Sequence, residues 1–573
     1  MRTFWPLLIA LLIAPMVAAW PLPTAWTSRW VSDPFGEAVV HTWGLWSAAA
    51  HGHPFLLNTT TIAWPDGITA VLADPLNLIW FSLGWPAGAE SAYNTVVYGN
   101  LLILGFSGII LARSVGGNPY IGLTAAVFNP STLGAVTGGI TEVLPIGWLG
   151  LFWVSLLRSL QPGQAQWAWP AGIILALCVF GGPYLAVWAA LSALPIGVFH
   201  LARSGRQALR PLLIAAGVGI GLSAPLTWSI LTGRVAGQPG TSDLAKYLLH
   251  PPAASSSIFR GGVRFGADLS DPLLPLPLTG GQAEPTFTAY LGLAAVIMAC
   301  CVLARRRSLW PWLLGSAFFS VLSLGPWVVW MGSPATVDGL ALHAPVGWLA
   351  THFEAIGRIS HWNRAGGASA LLLVPLVSLF PSVWPRAAAA PLAIGLLLVD
   401  RIVGSPVPWP MPTFRTPDMA AHAEITNSDG AILVQPNRFH SHPLPQAKYR
   451  DPALLAQFYH QHVVSEPGVM GHGLSDAARH AHEVLERIAR QGQVEAEHRL
   501  ALQGPGFRWL AVYHRHMSDD PERDARWARC IGAPVAEDDW VTLYDLSVGI
   551  HPVCVTGRPP SAAPPSPEGP GTF

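Results

Sequence analysis

Charge is what this chain lacks. Only 11% of its 573 residues are Asp, Glu, Lys or Arg, against roughly 25% in an ordinary soluble domain. That excludes a water-soluble surface over the whole length. Basic and acidic residues number 32 each, so no cationic excess is left over for a nucleic acid. Cysteine is scarce as well. The five present form no CxxC and no Cys/His spacing of a structural zinc site. Cys178, Cys300 and Cys301 lie in apolar runs, whereas Cys530 and Cys554 fall in a polar region and could pair if that region is extracytoplasmic. A Gly-rich phosphate loop, a Gly-x-Ser-x-Gly elbow and a clear internal repeat are also missing.

What is present is hydrophobic: 51% of the residues are apolar or aromatic. The few charges are unevenly placed, with 34 of the 64 lying after residue 400. This pattern divides the chain into a membrane part, 1–400, and a soluble part, 401–556, with a Pro-rich and disordered tail at 557–573. A bilayer-crossing helix needs about 20 apolar residues. Candidate segments are 4–22, 91–112, 119–137, 141–157, 168–181, 184–202, 211–231, 287–304, 309–331, 367–382 and 386–400, which predicts a polytopic bundle of about eleven spans. The first could instead be a signal peptide, but in a polytopic chain a retained span is the better reading.

Arginines give the orientation. With Arg2 inside, the connections carrying Arg113, Arg158, Arg203, Arg206, Arg210, Arg305, Arg306, Arg307 and Arg386 all face the cytoplasm, and the thirteen acids before residue 401 fall on the other side. An odd number of spans then places the soluble part outside. The outer face carries long loops at 23–90, 232–286 and 332–366. Stretches such as "DPLNLIWFSLGW" and "LALHAPVGWLATHF" within them read as short interfacial helices.

Chemistry concentrates in those loops. In "SDPFGEAVVHTWGLW" a helix starting at Glu37 would put Glu37 and His41 on one face, with Asp33 just upstream. A carboxylate beside a histidine at the mouth of a bundle suits a general base or a cation site; helix capping and surface pairing are the plainer alternatives. Glu142 in "GGITEVLP" follows two glycines that permit close backbone approach. Asp66 in "WPDG" reads as a turn residue, and Asp74 in "ADPLN" as a helix start. "RISHWNRAGG" brings Arg358, His361 and Arg364 together at spacings of three. Arginine forks on the outer side suit phosphate oxygens, though they also suit lipid head groups.

The order of these features resembles the GT-C superfamily of polytopic glycosyltransferases. The resemblance rests on "DPFGEAVVHTWGLW", "WPDG", "DPLN", "AYN", "GGITEVLPIGW" and "GRISHWNRA", and it covers about residues 1–400 and, more loosely, the tail. It implies a membrane glycosyltransferase of the cell envelope that moves a sugar from a polyprenyl-phosphate donor to a glycan, lipid or protein acceptor at the outer face. Asp33, Glu37 and His41 would then be catalytic, with two acids where the superfamily usually needs one. Arg358, His361 and Arg364 would hold the donor phosphate, supported by Asp66, Asp74 and Glu142. A divalent cation could sit among the acids but is not required. The competing class is a non-catalytic scaffold or a lipid or solute transporter on the same bundle.

In the soluble part, "GAILVQP", "FRWLAVYH" and "WVTLYDLSV" read as strands. "DPALLAQFYHQHVV" and "AARHAHEVLERIARQ" read as helices between them, which predicts a small α/β domain. Its histidines, at 440, 442, 460, 462, 472, 480 and 482, lack metal-typical partners and read as surface residues.

Overall fold

The computed structural model describes most of residues 4–233, 266–352 and 361–556, leaving out 276–285, 436–451, 466–474 and a few single positions. The chain is mainly helical and forms two compact units, residues 1–56 with 71–415 and residues 57–70 with 416–573.

In the first unit, four helices among the described residues are long and apolar enough to cross a membrane: Ala89–Ser114, Pro183–Ser204, Arg206–Ser229 and Trp362–Val383. Phe4–Ala18, Ala165–Gly181 and Leu293–Arg305 are apolar but shorter. Proline accounts for part of the shortfall from eleven. The segment predicted at 119–137 is split by Asn129-Pro130 into helices Pro119–Val127 and Pro130–Thr137, with the Asn129 side chain capping the second by accepting from the Ser131 N–H. Such a cap satisfies a helix-end donor and marks a true start.

Helix Ala365–Ser378 is buried along its whole length. A helix that is apolar all round belongs inside a bundle, and this one packs between Trp310–Ser323, Leu293–Arg305, Pro119–Val127 and Ala89–Ser114. The Ser369 hydroxyl meets those of Ser316 and Ser320 at 2.9 and 2.7 Å, which pins its axial position. Arg364, at its N-terminal end, is thereby placed by the most deeply packed element of the unit.

The second unit holds a four-stranded sheet in the order Ala536–Glu537, Val541–Asp545, Phe507–Tyr513, Ala431–Gln435. Val541–Asp545 runs antiparallel to both its neighbours, and Ala431–Gln435 is parallel to Phe507–Tyr513. Helices Asp476–Gln491 and Pro521–Ile531 bury Ala481, Leu485, Ile488 and Trp527 in a core shared with Leu433, Leu510 and Val512. Cys530 and Cys554 form a disulfide within this unit. The excursion 57–70, cut from the first long loop, is part of the same unit. Trp64 donates through Nε1 to the Pro505 carbonyl at 2.7 Å, Ser475 Oγ donates to the Trp64 carbonyl at 2.9 Å, and the Val464 N–H donates to the Thr61 carbonyl at 2.9 Å.

The histidines correct the sequence reading. His460, His462 and His482 are buried, as is His422, while His480 is exposed and His440, His442 and His472 lie outside the described residues. His422 and His460 stack at 5.0 Å, and Tyr513 flanks His422 at 6.1 Å. His462 reaches the carbonyls of Gly430 and Ile425 at 3.0 and 2.6 Å. Histidines look polar in a sequence, but an imidazole whose ring nitrogens find partners packs as an aromatic ring.

Candidate active site

The start of the candidate site is hung on the end of helix Pro130–Thr137. The Asp33 N–H donates to the Thr137 carbonyl at 2.8 Å, Ser32 Oγ to the same carbonyl at 3.0 Å, and the Glu37 N–H to the Gly138 carbonyl at 2.7 Å. Glycine makes the approach feasible. Gly139 has φ +71°, and a Cβ there would stand 2.2 Å from the Ala38 nitrogen. Helix Ala38–His51 therefore begins directly against the Gly138-Gly139 turn, with Glu37 at its N-cap position.

The Glu37 carboxylate does not cap that helix. It turns to His41, whose Nε2 lies 3.5 Å from Oε2, with the two side chains only 14% and 18% exposed. Burial by itself would lower the His41 pKa, but the Glu37 hydrogen bond and the charges of Asp74, Glu142 and Glu37 outweigh it and raise it above the ordinary value. Asp33 is differently engaged: its Oδ1 accepts from the Phe35 N–H at 2.8 Å, an Asx turn.

Asp74 stands at the start of the short 3-10 turn Pro75–Asn77, as its sequence suggests, but its carboxylate is used elsewhere. It makes no side-chain cap to the short turn after it and is fully buried. Its Oδ2 accepts from Thr141 Oγ1 at 2.5 Å and Asn77 Nδ2 at 2.8 Å, and Asn77 in turn accepts from Asn100 Nδ2 at 2.7 Å. Burial pushes the Asp74 carboxyl above the usual carboxylate range, with His41 pulling the other way. No local pattern could have revealed this, because the partners are up to 67 residues away.

Glu142 pairs directly with Arg364. The Arg364 guanidinium also lies over the Tyr184 ring, 4.3 Å from its centroid, and Tyr184 Oη is 3.4 Å from His361 Nδ1. His361 precedes a 3-10 turn, Trp362–Arg364, so the expected single helical face does not describe it. Burial first, then the nearby Arg364 charge, hold the His361 imidazole down to about 4, leaving it uncharged at neutral pH. Arg358 lies outside the described residues. Asp66 is exposed in the Ala63–Gly67 turn of the second unit, where the Gly67 N–H donates to the Ala63 carbonyl at 2.9 Å.

One cluster thus unites residues from five distant stretches, 37–41, 74, 142, 184 and 361–364. His41 feels Glu37, Asp74 and Glu142, and His361 feels Arg364, Glu37 and Glu142. Tyr184 is the member that sequence reasoning missed, since a lone tyrosine at a helix start carries no motif. Among the described residues, no group of three or more His, Cys, Asp or Glu is placed to hold a metal ion.

No family model matches the sequence, and comparison with curated proteins finds no match. Among solved structures, a mutant of the arabinofuranosyltransferase AftD from Mycobacteria superposes with a TM-score of 0.51 at 14% identity, over 95% of this chain and 42% of that one. The chain has the GT-C fold. It spans less than half the length of AftD. Two further GT-C structures align less well. The oligosaccharyltransferase of Archaeoglobus fulgidus gives a TM-score of 0.44 at 12% identity, over 88% of this chain and 69% of its own. ArnT from Cupriavidus metallidurans gives 0.38 at 10%, over 95% and 98%.

Proposed function

We propose that this protein is an integral membrane glycosyltransferase that moves a sugar from a polyprenyl-phosphate donor to an acceptor hydroxyl at the outer face. The observation that carries the reading is the joining of Glu37–His41 to Glu142–Arg364 in one cluster of a GT-C fold. Transfer forms a bond from the acceptor oxygen to the sugar's anomeric carbon and breaks the bond from that carbon to the phosphate oxygen. The acceptor proton goes to Glu37, whose carboxylate His41 orients. Charge grows on the leaving phosphate, and Arg364 holds it. Asp33, occupied in its turn, shapes the loop.

Orientation rests on two supports. Arginines gather at one set of connections and acids at the other, and the Cys530–Cys554 disulfide suits an oxidising compartment outside the cytoplasm. Both favour the outer side for the second unit and, with a bundle of about eleven spans, for the site.

The test measures sugar release from a polyprenyl-phosphate-linked donor by purified protein. Glu37→Gln should lose activity by about 100-fold or more, the scale of a general base, and Arg364→Gln by a similar factor. Asp33→Asn should stay within about tenfold of wild type, since its role is a turn. Full activity in Glu37→Gln would overturn the base assignment, and full activity in Arg364→Gln the phosphate assignment.

A further inference from the structure

Arg364 has more capacity than it uses. One arm of its guanidinium pairs with Glu142, and its Cζ lies over the Tyr184 ring. Its Nε has no hydrogen-bond partner although the residue is only 9% exposed. The buried Asn363 Oδ1 and Thr132 Oγ1 are also unpartnered, and all three residues line one small cavity with Ser131 and Thr286. A guanidinium presents five N–H donors in a planar fork that matches the oxygens of a phosphate. In this structure part of that fork is taken up by a carboxylate.

We infer that Glu142 is an exchangeable counter-ion, displaced from Arg364 when a phosphate anion binds there. The inference rests on the reading of Arg364 as the phosphate-holding group. Two anions on one buried guanidinium repel each other, and a low-dielectric surrounding strengthens that repulsion. Phosphate therefore enters by taking Glu142's place. Tyr184 keeps the guanidinium in position during the exchange, because its ring attracts the cation whichever anion is paired with it. The released carboxylate stays within the field of His41, which already feels it. Donor binding at one end of the cluster thus strengthens the anionic surroundings of the Glu37–His41 pair at the other. Without an anion, Glu142 satisfies a charge that would otherwise be buried alone, which is strongly destabilising.

The exchange makes an unusual demand: removing an acidic residue must improve binding. Purified protein in non-ionic detergent is titrated calorimetrically with farnesyl phosphate and, separately, with inorganic phosphate. Glu142→Gln, which keeps size and an acceptor oxygen but no charge, should tighten farnesyl phosphate by about tenfold. It should tighten inorganic phosphate by a similar factor from a weaker start, since the shared chemistry is the phosphate. Arg364→Gln should abolish binding of both. If Glu142→Gln fails to fold, Glu142→Asp shortens the reach to Arg364 and should tighten both probes by about threefold. Unchanged or weakened binding in the Glu142 variant, with binding still lost in Arg364→Gln, overturns the exchange and leaves the functional reading standing. Undiminished binding in Arg364→Gln overturns both.

Discussion

Glu37 and His41 show what single residues disclose. Their four-residue spacing is local, so their pairing could be read before any fold was known. The burial of Asp74 could not, because its shell of Thr141, Asn77 and Asn100 is assembled by packing. The same limit hid the histidines of the second unit, and their burial has a consequence for stability. His460 accepts through Nδ1 from the His462 N–H at 2.9 Å, and His482 Nδ1 meets Gln435 Nε2 at 2.8 Å. An accepting ring nitrogen requires a lone pair, so these rings fold neutral. Burial lowers His422 and His482 to about 4, and His460 well below its ordinary value. In the unfolded chain they titrate near 6.5. Below that pH the unfolded state takes up protons that the folded state refuses, so stability is complete above about pH 6.5 and falls as pH drops toward 4. Each group removes about 1.4 kcal/mol per pH unit in that window. The melting temperature, followed by fluorescence of the full-length protein, should therefore fall between pH 6.5 and 5. His482→Gln should flatten that slope by about one proton. An unchanged slope in the variant would remove His482 from the account.

At the scale of elements, the Gly138-Gly139 turn sets where helix Ala38–His51 begins, and hence where Glu37 and His41 stand. The two glycines were legible as a point of close approach. What approached them was not, since the partner strand of chain lies about a hundred residues earlier, at 33–38. Helix Ala365–Ser378 is the opposite case. Its uniform apolar sequence reads directly as a buried or membrane helix, and its serines specify the depth at which Arg364 emerges. Gly139→Ala tests the coupling of turn to site. A side chain at φ +71° is strained, and the Cβ would press on backbone at 2.2 Å, which cannot swing aside as a flexible side chain would. The helix start must shift. A misplacement of about 1 Å can lower a rate by about 100-fold, so Gly139→Ala should cut turnover by about tenfold or more while farnesyl phosphate, held by Arg364, binds nearly as in wild type. Equal loss of turnover and binding would mean that the bundle itself had been damaged.

For the whole molecule, the contrast between an apolar and a charged region was visible in composition alone, and the α/β pattern of the second unit in its strand and helix runs. The excursion 57–70 was invisible. Its Trp64 and Thr61 bond to residues some 400 positions later, a pairing that no window on the sequence spans. The side of the membrane on which this second unit stands is the last thing to test, and the structure alters how. Ser465, a natural polar choice for labelling, is fully buried, and its hydroxyl oxygen accepts from the Val434 N–H at 3.0 Å. Val548 is 80% exposed and is the better site. In a background with the exposed Cys300 and Cys301 changed to Ser, Val548→Cys should react with a membrane-impermeant maleimide in intact cells. Cys530 and Cys554, joined in the fold, should react only after reduction. Two independent arguments meet in that result, since arginine placement concerns insertion and the disulfide concerns redox compartment. Reaction of Val548→Cys only after permeabilisation, with Cys530 and Cys554 alkylated without reductant, would put the second unit in the cytoplasm and remove the argument for an outer-face acceptor.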